Sequence, residues 1–117
     1  MKGFIHLYTG NGKGKTTAAL GLAIRAAGAG KKVFIAQFVK GMAYAEVKSL
    51  KAIEGIDCKI YGLACFIREK PTQQDIDAAN TGLLEVEQII QNGRCDVLII
   101  DEICIALYFN LFPIERV

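Results

Sequence analysis

Short apolar runs alternate with amphipathic stretches along the whole chain. Gly3 to Tyr8 (GFIHLY) predicts a short buried strand that runs into a glycine-rich turn. From Lys15 to about Ala29 the chain is rich in Ala and Leu. This predicts a helix stopped by Gly28 and Gly30, with Lys31 and Lys32 complementing its C-terminus. Val33 to Phe38 (VFIAQF) reads as a second strand. Val47, Leu50 and Ile53 share one face of a helix around Tyr44 to Ile53, and Asp57 to Tyr61 predicts a further short strand. Pro71-Thr72 opens the clearest helix. Thr72 is its N-cap, and Asp75 takes the place a Glu usually fills in a capping box. Ile76, Ala79, Leu83, Val86 and Ile90 follow one face until Gly93 ends the helix. Asp96 to Ile100 (DVLII) predicts a strand covered on both faces.

Strands too apolar to face water, alternating with helices, predict an α/β fold: a mostly parallel sheet flanked by helices, in one domain over 1–117. The length of 117 residues suits one domain, and 52% hydrophobic against 22% charged residues suits a packed core. A formal charge of +2 argues for neither nucleic acid nor membrane as a partner. The longest apolar runs are strand-sized, far short of a bilayer span. MKGFIHLYTG lacks the long apolar region of a signal peptide, so the expected compartment is the cytoplasm. Cys58, Cys65, Cys95 and Cys104 form no C-x-x-C pair and lie far from His6. They are expected to be reduced, mostly buried thiols rather than zinc ligands. Gly62 to Lys70 has no clear period and is expected to be a loop.

The sharpest chemical signal is YTGNGKGKTTAALG, Tyr8 to Gly21, between a predicted strand and a predicted helix. That is the setting of a phosphate-binding loop. Gly10, Gly12 and Gly14 let the backbone turn its N–H groups on one anion, and the helix dipole adds to the attraction. Lys15 can reach terminal phosphate oxygens, and the Thr16 hydroxyl is placed for Mg²⁺. The usual spacing puts a glycine five residues before Gly14. Here that residue is Thr9, the glycine follows at Gly10, and Lys13 adds a cation. Downstream, DVLIIDE ends a strand with Asp101 and Glu102, where an acid holds Mg²⁺ directly or through water. Spacing leaves open which of the two touches the metal.

The loop, with QFVKG (Gln37 to Gly41), CFI (Cys65 to Ile67), PTQQDI (Pro71 to Ile76) and DVLIIDEICIAL (Asp96 to Leu107), resembles the P-loop-type ATP:corrinoid adenosyltransferases. The shifted glycine and the extra lysine match that family too. The resemblance implies a three-layer, RecA-like P-loop NTPase fold that transfers the 5′-deoxyadenosyl group of ATP to Co(I) of a corrinoid, with triphosphate leaving. ATP would lie reversed, its α-phosphate where other P-loop proteins hold the γ-phosphate. Co(I) is itself the nucleophile, so the protein has to align C5′ and stabilise the leaving group. Lys13, Lys15, the loop N–H groups and Mg²⁺ on Thr16 and Glu102 would do the latter. By the same resemblance Thr9, Asn11, Thr17 and Arg25 belong to the nucleotide site, and Phe66 contacts the corrinoid. Lys40 and Glu46 match family positions. An electron-donating reductase is the implied partner.

Family members continue several tens of residues beyond the position of Val117, with further strands, a T-G-R segment and a C-terminal stretch. An edge of the sheet is therefore expected to be open, which predicts a homodimer or larger assembly. Two alternatives stay open: an ATP-binding module that does not turn over, and a P-loop kinase or ATPase of another lineage.

Overall fold

A computed structural model describes residues 2–39, 45–62 and 70–117. Its helices are α1 (Lys15–Gly28), α2 (Ala45–Lys51), α3 (Gln73–Asn92) and α4 (Ile103–Tyr108), and its strands β1 (Val33–Phe38), β2 (Ile56–Tyr61) and β3 (Val97–Asp101). The strands form one parallel sheet in the order β2-β1-β3. Val33 of the central strand stands opposite Ile56 on one side and Val97 on the other, and Gln37 stands opposite Asp101.

Side chains alternate across a strand, and that alternation divides the core in two. Val33 and Ile35 of β1, Ile56 and Cys58 of β2, and Ile99 of β3 pack with Ala23 of α1 and with Val47 and Leu50 of α2. On the other face Ala36, Phe38 and Tyr61 meet Ala79, Leu83 and Val86 of α3, Ala106 of α4, and Leu111 and Phe112. Helices thus cover both faces, a three-layer α/β arrangement compatible with a P-loop NTPase-like fold. Among the described residues no helix is long and apolar enough to cross a membrane.

Helix α3 is delimited as its sequence predicts. The Thr72 side chain accepts from the Asp75 N–H, and Asp75 Oδ2 accepts from the Thr72 N–H at 2.7 Å, so the shorter acid closes the capping box. Gly93, at φ 60°, takes the left-handed position that ends the helix. Gly82 serves a different need, because a Cβ there would stand 2.4 Å from the Tyr61 ring. Only a glycine lets this turn of α3 lie so close to β2.

Four expectations are corrected. Residues 3–8 are not a buried strand: they lie outside any helix or strand, with Phe4 80%, Ile5 99% and Leu7 80% exposed. A six-residue apolar run is stable as a strand only where a neighbour completes its ladder, and no described strand pairs with it. Strand β3 is only half covered, with Ile99 its one buried residue, because β1 is its sole neighbour among the described strands. Ile90 is 63% exposed, and Ile89 is buried in its stead. The two are neighbours in the last turn of α3, and it is Ile89 whose side chain is turned inward there. Of the thiols, Cys58 is buried, Cys95 half-buried and Cys104 exposed on the outer side of α4. Burial, with Asp96 nearby, pushes the Cys95 thiol up. Cys65 lies outside the described residues, as does nearly all of the expected 62–70 loop.

Candidate nucleotide site

The glycine-rich loop enters α1 through two backbone positions closed to ordinary side chains: Gly10 at φ 144° and Gly14 at φ 108°. Nothing crowds a Cβ at either, so the requirement is conformational rather than spatial. Gly14 is the N-cap and brings no side chain to the helix start. Ala18 N–H is bonded to Gly14 O at 2.9 Å. The N–H groups of Lys15, Thr16 and Thr17, ahead of that first bond, therefore lie outside the helical ladder, at the positive end of a 14-residue helix.

Lys15 folds over its own loop, its Nζ donating to Gly10 O and to Gly12 O, both at 2.7 Å. Thr16 turns inward. Its hydroxyl donates to Asp101, 3.1 Å from Oδ1 and 3.2 Å from Oδ2, across 85 residues of sequence. Register and alternation explain the meeting. Asp101 shares the α1-facing side of β3 with Val97 and Ile99, and it ends the strand where α1 begins. Gln37, its counterpart on β1, donates from Nε2 to Asp101 Oδ2 at 3.3 Å. Glu102 is placed otherwise: it holds a left-handed φ of 62° as the N-cap residue of α4. The acid in contact with Thr16 is thus Asp101.

Thr9, Asn11, Gly12 and Lys13 lie exposed in the loop, and Thr17 is exposed in the first turn of α1. Arg25 is not brought to them. It is exposed in the last turn of the helix, roughly 15 Å along the axis from Lys15. Glu46 is in the first turn of α2. Phe66 and Lys40 lie outside the described residues. Sequence reasoning matched Gln37 to a motif without giving it a task. The signal was there: a carboxamide inside the otherwise apolar run VFIAQF.

Hydroxyl and carboxylate oxygens side by side are the donor set of a hard cation such as Mg²⁺, which keeps several waters and shares phosphate oxygens rather than filling a protein cage. Because the Thr16 proton is directed to Asp101, its oxygen lone pairs stay available to a metal.

Comparison with known proteins decides the lineage. The family model described as ATP:corrinoid adenosyltransferase BtuR/CobO/CobP matches residues 1–117. The chain belongs to that family. Among individual adenosyltransferases it is similar to the corrinoid adenosyltransferase of Escherichia coli (strain K12), 31% identical over 116 residues. It is also similar to the corrinoid adenosyltransferase CobA of Salmonella typhimurium, 30% identical over 116 residues. Each match takes in 99% of this chain and 59% of the relative. A Pseudomonas aeruginosa corrinoid adenosyltransferase is 29% identical over 118 residues, 58% of its length. The chain spans about three-fifths of the length of these curated adenosyltransferases.

Proposed function

We propose that the chain binds the triphosphate of ATP, with Mg²⁺, on the loop from Thr9 to Thr17, and that it serves transfer of the 5′-deoxyadenosyl group to a Co(I) corrinoid. The observation that carries this reading is the contact between Thr16 and Asp101, which joins the helix start to the acidic end of β3. Family membership supplies the reaction class.

In this reading the loop N–H groups and the first turn of α1 hold phosphate oxygens, and Lys15 exchanges its carbonyl partners for them. Lys13, exposed on the same loop, adds positive charge. Asp101 keeps the Thr16 hydroxyl turned so that its oxygen can hold the metal, with Glu102 next to it. Bound Mg²⁺ would neutralise charge on the departing triphosphate. The Co(I) electron pair forms the bond to C5′ as the C5′–O bond breaks, and the leaving oxygen carries its electrons away. No side chain has to remove a proton, so the protein acts by alignment and electrostatics. Because Co(I) must arrive reduced, an electron-donating protein belongs to this proposal. A second copy of the chain, predicted from an open sheet edge, is testable by light scattering at micromolar concentration.

The test is incubation with ATP, Mg²⁺ and chemically reduced cob(I)alamin. Light-sensitive adenosylcobalamin with an equal amount of triphosphate is expected, whereas ADP would point to a kinase or ATPase instead. A second reading is a module that binds Mg·ATP without turnover. ATP binding by calorimetry with no cobalamin product would select it. A folded chain that gives no heat with ATP would end both.

A further inference from the structure

Gln37 is a fully buried polar side chain, and its Oε1 has no hydrogen-bond partner among the described residues. Its orientation is fixed by chemistry. A carboxylate only accepts, so the atom facing Asp101 Oδ2 must be the amide nitrogen. The oxygen is left over. A buried acceptor without a donor destabilises the fold, and Val33 and Ile35, the preceding residues on the same face of β1, are apolar. Two residues further on, Val39 holds φ 69°, a left-handed value that a β-branched residue seldom adopts. The end of the central strand thus carries both an unsatisfied amide and a strained turn, and such costs gather where function requires them.

We propose that Gln37 is a positioning residue for the magnesium–nucleotide site. Its Nε2 holds the Asp101 carboxylate in the orientation that receives the Thr16 hydroxyl. Its Oε1 is the acceptor for a water carried with the hydrated ion. An amide suits this place better than an acid would. It gives one donor to the carboxylate and one acceptor to water, and adds no negative charge beside Asp101. The proposal rests on the Mg·ATP reading above and adds to it a residue that touches neither nucleotide nor metal.

The test uses the full chain and Gln37→Met, which matches the side chain in length and removes both polar ends. Nucleotide affinity is measured by calorimetry with and without Mg²⁺, and Mg²⁺ is titrated at fixed ATP. Outer partners of metal ligands typically set affinity by 10–100-fold, so the Mg²⁺ half-saturation point should rise on the order of tenfold. Metal-free ATP binding should stay as it was, and the melting temperature should hold or rise. Gln37→Leu carries the same prediction and serves if Met packs badly. A folded variant with unchanged Mg²⁺ dependence overturns the proposal and leaves the ATP reading intact. Failure of the unaltered chain to bind ATP in an Mg²⁺-dependent way removes both.

Discussion

Two contacts of a hydroxyl with a carboxylate, one on each face of the sheet, are built to different ends. On the α3 side the Tyr61 hydroxyl donates to Glu85, and Lys59 sits 3.0 Å from the same carboxylate. A cation answers the acid, and the Tyr61 ring fills the space left by Gly82. Burial, then the Glu85 contact, pushes the Tyr61 hydroxyl well above its ordinary range. On the α1 side the Thr16 hydroxyl donates to Asp101, and the neighbour is a neutral amide with an acceptor to spare. The backbone differs in the same sense: the strand ends beside Asp101 carry Val39 and Glu102 at positive φ. The first pair is answered by a cation, whereas the second is the one our proposal assigns to binding.

The strongest way to break this contrast is Lys15→Ala. Its ammonium is exposed and, among the described residues, bonded within the loop, so stability should hardly change. ATP affinity should fall on the order of 100-fold, about 3 kcal/mol, if Lys15 supplies charge-assisted bonds to phosphate. Equal affinities in calorimetry would remove the lysine from the site. On the α3 side, Gly82→Ala should cost about 2 kcal/mol in urea unfolding, by driving a methyl into the Tyr61 ring, with ATP affinity unaltered. A neutral result would mean that β2 and α3 separate easily. Thr72→Ala should cost about 1 kcal/mol through loss of the cap of α3. The smallest effect is expected from Glu85→Gln, about 0.5 kcal/mol at pH 7, because the ion pair is partly solvated. Its signature lies in acid. Hydrogen bonds from Tyr61, then Lys59, hold the Glu85 carboxyl below its ordinary 4.5. The unfolded chain therefore takes up this proton first, so the contribution is intact above pH 4.5 and fades as pH drops through the folded value. Melting curves of the variant should lack that part of the acid decline.

Local signals were legible in the residues alone. Helix α3, its cap at Thr72 and its stop at Gly93 follow from periodicity and side-chain chemistry within a few residues. The Lys15 helix start and the acid at the end of β3 were equally plain, since glycines and charges mark them directly. What failed depended on distant partners. The run at 3–8 has the composition of a strand but no neighbour to pair with among the described strands. Which of Asp101 and Glu102 meets Thr16 turned on strand alternation and one left-handed residue, which spacing does not encode. Gln37 escaped because a lone amide in an apolar strand gains meaning only once Asp101 stands opposite it.

The position of β1 also bears on how the protein is made. This strand is central, yet its partners begin at Ile56 and Val97, both synthesised after it. VFIAQF must leave the ribosome bare on both edges, and the edge that β3 covers stays bare until most of the chain has followed, an exposure typical of slow parallel pairing. Nascent chains halted before Val97 should remain open to protease throughout β1, and those halted after α4 has emerged should resist it.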